Sequence, residues 1–186
     1  MATVLGSEPY PWPYDEDLSG NRLAVVLAGW DLDWSRRALG AAAATRAVER
    51  LVGGVAVHGG LVVGVAHHRA EALPVPDGGQ AVTAEGIDGF HGGGLDSVLR
   101  AAGRTHLLLA GFGLEGPVHS TLRDANDRGY ECLLVADACA ALTPDLVDAS
   151  LRTVHMSGGI FGATATVAAV LAALHPTAVT PQESCP

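Results

Sequence analysis

The chain has 186 residues and a formal net charge of −9, with 48% hydrophobic but only 5% aromatic residues. Because no basic cluster is present to neutralise phosphates, this composition argues against binding to nucleic acid or to an anionic membrane. All 11 residues counted as lysine or arginine are arginines, so no mechanism that needs a lysine amine is available.

The length of the chain suits a single domain, and its cysteine pattern and hydropathy indicate a cytoplasmic protein. The three cysteines, Cys132, Cys139 and Cys185, show neither a pairing pattern nor metal-ligand spacing. The N-terminus lacks a signal pattern, and no uncharged apolar run reaches the ~18 residues of a membrane span. We therefore expect no membrane partner.

Residues 1–21 are predicted to form an extended N-terminal arm, because the segment PYPWPYDEDL contains prolines that exclude a regular helix or a central strand. We expect this arm to lie on the body of the protein or on a neighbouring subunit. Residues 22–175 are expected to form the domain itself, and residues 176–186 a flexible tail.

Strands and helices are predicted to alternate through the domain. The first half indicates a strand at 22–28, a helix at 35–52 with Ser35 as its cap, and strands at 60–66 and 80–83. The second half indicates helices at 95–102, 117–128, 144–156 (with Thr143 as cap) and 167–174, and strands at 105–110, 131–136 and 158–164. This order predicts an α/β fold of three layers, a doubly wound, six-stranded, mostly parallel sheet between helices.

The most informative segment is the strand–turn–helix–strand unit at 105–141, THLLLAGFGLEGPVHSTLRDANDRGYECLLVADACAA. In a parallel sheet, the carboxyl end of a strand meets a helix N-terminus that offers free amides and partial positive charge. A cysteine at that point would be stabilised as a reactive thiolate. The residue predicted to begin this helix is instead Pro117, which has no nucleophile and no backbone N–H.

The chain resembles the isochorismatase-like cysteine hydrolases in five segments that follow one another at suitable intervals: YPWPYDEDL, AVVLAGWDLDW, GFHGGGLDSVLRAAGRTHLLLAGF, VHSTLRDANDRGYECLLVADACAA and GGIFGATATVAAVLAAL. The first and fourth segments are most similar to the branch that hydrolyses biuret, ureidoacrylate and related small amides. The resemblance implies a six-stranded parallel sheet and a cysteine nucleophile, assisted by an aspartate base and a lysine, that cleaves C–N bonds or a vinyl ether. It also implies dimers or tetramers, with the aromatic arm at Tyr10–Tyr14 as a candidate contact.

Aligned on these segments, the family's aspartate, lysine and cysteine fall on Gly29, Ala84 and Pro117. None of these residues carries a group that attacks a substrate or transfers a proton. The resemblance therefore implies that the catalytic triad is absent, and we expect no catalytic residue, no cofactor and no metal ion.

The residues expected to line the remaining crevice are Trp30, Asp31, Phe90, His91 and His119. Asp31 and the nearby Asp33 either cap the next helix or carry a base into the crevice. Histidines at 67, 68 and 91 are ligand types for zinc or iron, but their spacing favours solvated or pocket-lining histidines. Cys139 is expected to be a buried structural thiol.

The leading hypothesis is a catalytically inactive pseudoenzyme with a structural or regulatory role, assembled as a homo-oligomer or paired with an active homologous amidohydrolase. One alternative is a protein that binds a small ureide or aromatic acid in the crevice. The other is a hydrolase of C–N bonds whose active site has been relocated.

Overall fold

The computed structural model describes residues 2–174. The last residue of the expected domain and the tail expected at 176–186, with Cys185, lie outside the described residues. The strands are β1 (Leu23–Ala28), β2 (Leu61–His67), β3 (Gln80–Ala84), β4 (His106–Phe112), β5 (Glu131–Ala140) and β6 (Ala163–Ala165). The helices are α1 (Leu32–Arg37), α2 (Ala41–Ala56), α3 (Leu95–Ala101), α4 (His119–Asp127), α5 (Pro144–Met156) and α6 (Val167–Leu174). Within residues 2–174, no helix is long and apolar enough to cross a membrane.

The six strands form one sheet in the order β3-β2-β1-β4-β5-β6, and every neighbouring pair is parallel. The chain adds strands outward from β1 to β3, then returns to the other side of β1 and adds β4 to β6. The winding direction therefore reverses between β1 and β4. This topology confirms the predicted doubly wound α/β class, and the reversal leaves a crevice at the carboxyl ends of β1 and β4.

Helices cover both faces of the sheet, because the strands are apolar on both sides. On β1, Leu23, Val25 and Leu27 pack in a core with α2 and α6. The alanines and the valine between them face a second core with α3, α4 and α5. All six side chains are buried, as expected for a central strand whose successive residues point to opposite faces. The result is the expected three-layer arrangement.

The region predicted as one helix at 35–52 forms two helices. Helix α1 begins at Leu32, because the Asp31 carboxylate accepts a hydrogen bond from the Trp34 backbone amide at 3.0 Å. Ser35 therefore lies inside α1, and its predicted role as the cap is wrong. The chain leaves α1 at Ala38 in an extended conformation, and α2 starts after Gly40.

The remaining predicted elements are present, with ends that differ by a few residues. Strand β5 continues to Ala140, past the expected end at 136, because it resumes pairing with β4 beyond a register shift between Leu109 and Gly111. Strand β6 is only three residues long, at 163–165. Helix α5 begins at Pro144 as predicted, but the side chain of Thr143 makes no capping hydrogen bond.

The helix predicted to begin at Pro117 begins earlier, with a π-helical turn at Leu114–Val118 that leads into α4. Pro117 lies inside this turn, so its predicted place as the first helical residue is wrong. In an α-helix the amide of residue 117 would donate to the Gly113 carbonyl, but proline has no N–H. The Val118 amide donates to Gly113 at 3.3 Å instead, and this wider i to i−5 bond defines a π turn.

The N-terminal arm folds back on itself and packs against the body. Val4 and Trp12 pair as an antiparallel bridge, and both side chains are fully buried. Glu8 forms a second bridge with Thr164 of β6. The arm therefore contributes a large aromatic side chain to the core on the α2 and α6 side.

Candidate functional site

A cleft of about 250 Å³ opens at the carboxyl edge of the sheet, over the ends of β3, β2, β1 and β4. This edge is where open α/β sheets bind ligands, and the cleft includes the crevice between β1 and β4. The lining residues are Gly29, Asp31, Trp34, Val65, Ala66, His67, Ala84, Gly86, Ile87, Gly89, Pro117 and Thr121. The fold thus brings together Gly29, Ala84 and Pro117, the positions on which the family's aspartate, lysine and cysteine are expected to fall.

Gly29 follows directly after β1 and has no room for a side chain. Its φ of +62° lies in the left-handed region that favours glycine. A Cβ atom at this position would lie less than 3.0 Å from the Phe112 carbonyl oxygen and 3.2 Å from Cβ and Cγ of Pro117. The backbone between β1 and β4 is therefore too close for a carboxylate to be added at Gly29 without a shift of the main chain.

Pro117 and Ala84 present only carbon to the cleft. Pro117 is buried, and its ring packs beside Gly29 and within the turn that contains Gly113. Ala84 is 2% exposed at the last position of β3. Neither side chain carries an atom that attacks a carbonyl or accepts a proton.

Asp31 brings a carboxylate to the cleft lining, and its oxygens are already engaged. One oxygen accepts from the Trp34 amide at 3.0 Å and the other from the His67 amide at 3.2 Å. The residue is completely buried. Asp31 therefore caps α1 and ties it to the end of β2, the first of the two roles expected from the sequence. Asp33 is in the first turn of α1 and does not line the cleft.

Four of the five residues expected to line the crevice lie elsewhere, and the expected pocket is corrected accordingly. Trp30 is buried on the α2 side of the sheet, where its ring stacks on Phe112 at 4.9 Å and its indole N–H donates to the Pro74 carbonyl. Phe90 is buried against Tyr130, in the opposite core. Trp30 follows a tight turn in which the Asp31 amide donates to the Gly29 carbonyl at 2.9 Å, and its ring is held on the α2 side by Phe112 and the Pro74 carbonyl.

The two remaining histidines of that set are also outside the cleft. His91 is exposed on the loop between β3 and α3. His119 is buried in the first turn of α4, where Nδ1 accepts from Arg123 Nε at 3.1 Å and the ring packs edge-on against Phe161. Burial and the nearby Arg123 charge lower the pKa of His119 below its ordinary value. His119 is therefore a neutral, packed side chain at neutral pH.

Burial raises the pKa of both described cysteine thiols. Cys139 lies on β5 with its S–H directed to the Val135 carbonyl oxygen at 3.3 Å, and burial raises its pKa to about 12. Cys132 is fully buried, and burial raises its pKa as well. Both residues are thiols rather than thiolates at neutral pH. The Cys139 residue, expected to be buried, is half-buried.

Sequence reasoning missed the side chains that give the cleft its shape. Trp34 covers one side, with the Arg37 guanidinium over its ring at 4.8 Å. Ile87 lies on the loop that follows β3, and the Thr121 hydroxyl on α4 accepts from the Gly89 amide of that loop at 2.9 Å. The WDLDW and glycine-rich GFHGGGL segments were noted in the sequence, but their pattern does not say which side chain faces the cleft.

His67 lines the cleft at the end of β2, whereas His68 is turned toward β3, with Nδ1 3.4 Å from the Ala84 carbonyl oxygen. The two rings lie 4.6 Å apart. In the part of the chain that the structure describes, neither belongs to a group of three metal-ligating side chains. His67 is thus a pocket-lining histidine, one of the two forms expected from the spacing.

Comparison with known proteins agrees with this architecture. A family model described as an isochorismatase domain matches residues 40–168. Ureidoacrylate amidohydrolase RutB from Methylorubrum extorquens is 36% identical over 105 residues, which are 56% of this chain and 41% of that protein. The matched region therefore spans less than half the length of this curated relative.

Solved structures share the fold at low sequence identity. A cysteine hydrolase from Pseudomonas syringae superposes with a TM-score of 0.74 at 19% identity, covering 85% of this chain and 94% of that one. An isochorismatase family protein from Burkholderia thailandensis gives 0.73 at 20% identity, with 83% and 96% covered. A nicotinamidase from Staphylococcus aureus gives 0.68 at 14% identity, with 77% and 98% covered. Since the family model spans more than half of the chain and the fold is the same, this chain belongs to the isochorismatase domain family.

Proposed function

We propose that this protein is a catalytically inactive member of its family that acts as a structural or regulatory subunit. The observation that carries the proposal is the geometry at Gly29, where the main chain of β4 and the ring of Pro117 occupy the space that a catalytic carboxylate would need. Because Gly29 and Pro117 pack on each other, the two expected catalytic positions are filled together by one structural contact. A single reversion at either position leaves the other without a functional group.

The chemistry expected of the family needs a nucleophile, a proton acceptor and a cation in one cleft. Loss of one member of a catalytic triad costs several powers of ten in rate, and the losses are not additive. At Gly29, Ala84 and Pro117 no side chain supplies any of the three groups. The Asp31 carboxylate and the Cys139 thiol are poor substitutes, because the first caps a helix and the second has a raised pKa.

As a subunit, the protein would assemble with copies of itself or with an active homologous amidohydrolase. The N-terminal arm supports this part of the proposal, because Tyr10 and Tyr14 stack at 3.8 Å and Tyr14 is 64% exposed. Tyr10 is half-buried against the core and holds the exposed Tyr14 ring in place, and exposed tyrosines of this kind are enriched at protein contacts. The expected cytoplasmic location and the absence of nucleic-acid and membrane partners stay predictions.

A second candidate function is the binding of a small ureide or aromatic acid, and the retained cleft favours it. The cleft combines an aromatic wall at Trp34 and an aliphatic wall at Ile87 with polar groups at His67 and Thr121. A pocket of this kind orients a small planar ligand by a few polar contacts. The amidohydrolase relative suggests a ureide as the first ligand class to try.

Assay of the purified protein on ureidoacrylate, biuret, nicotinamide and isochorismate is expected to show no turnover, with the Staphylococcus aureus nicotinamidase as the positive control for nicotinamide. Turnover that is lost on Asp31→Asn or Cys139→Ser would contradict the proposal and establish a hydrolase with a relocated site. Turnover that is unchanged in both variants would point to a contaminating enzyme, and a fresh preparation by a different purification route would remove it.

Thermal-shift screening of ureides and aromatic acids separates the two candidate functions. A ligand that raises the Tm of the wild-type protein, but not of a His67→Ala variant, would assign the cleft as a binding site. His67 lines the cleft, and His68→Ala at the neighbouring position, which does not line it, serves as the control. Size-exclusion chromatography with light scattering, on the wild type and on Tyr14→Ala, tests the assembly directly.

A further inference from the structure

Three metal-ligating side chains meet at the edge of the sheet opposite the cleft. His106 is the first residue of β4 and Glu131 the first residue of β5, and the two are register partners in the parallel pair. Asp15 comes from the N-terminal arm, 91 residues before His106. The group therefore joins the arm to the amino-terminal edge of two central strands.

The ligand atoms face one another at short distances. His106 Nε2 lies 3.1 Å from Asp15 Oδ1 and 3.4 Å from Glu131 Oε2, and all three ligand atoms lie within 4.8 Å of one another. The His106 side chain is only 2% exposed. Nε2 faces one oxygen from each carboxylate, so it either donates its N–H to one of them or, with a metal ion present, binds the ion through its lone pair.

The other polar atom of each ligand is already engaged, which fixes the orientation of the group. His106 Nδ1 lies 2.8 Å from the Thr105 hydroxyl, and Arg22 Nη1 donates to Asp15 Oδ2 at 2.6 Å. The Tyr14 amide donates to Glu131 Oε1. Ligands of metal ions in proteins are oriented by outer hydrogen bonds of this kind.

We propose that Asp15, His106 and Glu131 bind one divalent transition-metal ion of the Zn²⁺ type, which fastens the N-terminal arm to the sheet. Zn²⁺ binds imidazole and carboxylate at about 2.0–2.2 Å in a tetrahedron, for which neighbouring ligand atoms lie about 3.3 Å apart. The distances of 3.1 and 3.4 Å match that edge. The two carboxylates offset the charge of the ion, the imidazole supplies a third ligand atom, and water completes the four ligands. The imidazole disfavours Mg²⁺, which prefers oxygen.

Because the site lies at the opposite edge from the cleft, its effect is on the arm and not on a substrate. The Trp12 ring packs edge-on to His106 at 5.8 Å, so a bound ion holds the imidazole against which the arm's buried tryptophan rests. Metal binding is therefore expected to protect the segment around Asp15 from proteolysis and to raise the Tm.

The experiment uses the tag-free protein, treated with chelator and then incubated with ZnCl₂ or MgCl₂. We expect one Zn²⁺ per chain by elemental analysis after desalting, and a Tm rise of about 5 to 10 °C at a free Zn²⁺ concentration about 100 times the Kd. Mg²⁺ is expected to leave the Tm unchanged. Asp15→Asn and Glu131→Gln are expected to lose both the bound ion and the shift.

Asp17→Asn is the matched control, because Asp17 pairs with Arg22 but does not face His106. It is expected to keep full Zn²⁺ binding, and Glu131→Gln keeps an oxygen for the Tyr14 amide, so the variants should fold. Circular dichroism checks this, and slower chymotrypsin cleavage after the exposed Tyr14 with Zn²⁺ reports on the arm directly. Wild-type protein that retains no Zn²⁺ overturns the proposal in favour of a hydrogen bond between His106 and the carboxylates. A Zn²⁺ shift that persists in both ligand variants overturns it in favour of other histidines.

Discussion

Replacing Gly29 by alanine tests whether the cleft has room for any side chain at the position where the aspartate base of the family is expected. The new methyl group would lie less than 3.0 Å from the Phe112 carbonyl oxygen and 3.2 Å from two carbons of Pro117. The carbonyl belongs to the backbone of a central strand and cannot rotate away. The substitution also forces a non-glycine residue to adopt a φ of +62°.

The expected loss of stability is the sum of these two effects. A left-handed conformation costs a non-glycine residue about 1 to 2 kcal/mol. Inserting a methyl group into a close-packed interior costs about 1 to 3 kcal/mol through forced backbone shifts. Gly29→Ala should therefore lower the free energy of unfolding by about 3 kcal/mol. For a domain of this size, that corresponds to a fall in Tm of about 6 to 12 °C.

Gly103 provides a matched control within the same chain. Its φ is +66°, close to that of Gly29, and a Cβ atom there would meet no atom within 4 Å. Gly103→Ala is expected to cost only about 1 kcal/mol, from the backbone conformation alone. Urea unfolding, followed by circular dichroism, compares the two variants under the same conditions.

If the two alanine variants lose the same stability, the overlap at Gly29 has been relieved by a main-chain shift. An aspartate would then fit at this position as well, and the packing at Gly29 would no longer support an inactive cleft. Pro117→Ala in the Gly29→Ala background separates the two contacts of the new methyl group. It removes the contacts to the ring but not the contact to the Phe112 carbonyl oxygen, so we expect it to rescue little of the loss.

Three further predictions rest on the titration and capping geometry. Burial, the hydrogen bond from Asp88 to Asp124 and the charge of Asp124 raise the pKa of Asp88 from 3.8 to about 6. This raised pKa means that protonated Asp88 favours the folded state below about pH 4 and that the benefit is lost as the pH rises through about 6. In urea unfolding, Asp88→Asn and the wild type should have equal free energies of unfolding at about pH 4. At about pH 7.5 the variant should be more stable by about 1 kcal/mol, after allowance for solvent screening. Equal free energies of the two proteins at both pH values would count against the raised pKa of Asp88. Asp31→Ala should cost about 2 kcal/mol through the loss of a helix cap and of the bond from the His67 amide, whereas Asp31→Asn should cost less; no loss in either would refute the capping role. In a Cys185→Ser background, a thiol reagent at about pH 8 should label Cys139 much more slowly in the folded protein than in denaturant. Rapid labelling of Cys139 without denaturant would contradict its raised pKa of about 12.

The fold was predictable because its main signals are local. The runs at β1, β2, β4 and β5 are apolar on both faces and short, which predicts buried parallel strands. Prolines and glycines mark the ends of several helices, as at Pro144. The helix start that was predicted at the wrong residue also has a local cause. At 31–40 two capping residues compete, and the Asp31 carboxylate lies three residues before the amide that it caps, so it starts the helix ahead of Ser35.

The site was predictable in position but not in detail. The rule that ligands bind at strand carboxyl ends places the cleft near Gly29 and Pro117, and the structure has it there. The rule does not say which of two consecutive residues points inward. Asp31 lines the cleft because the Trp34 and His67 amides bind its carboxylate. Trp30 is in the core because its ring stacks on Phe112 and its indole N–H donates to the Pro74 carbonyl.

By itself the sequence determined the fold class, the family and the absence of lysine from any mechanism, because these depend on composition and on patterns within one element. Only the tertiary structure decided that no side chain fits at Gly29, since the obstacle is the carbonyl of Phe112 on a different strand. The same holds for the meeting of Asp15, His106 and Glu131, which come from three separate segments. Distances between segments follow from how the sheet is wound and how the arm packs, and neither is encoded in the spacing of residues along the chain.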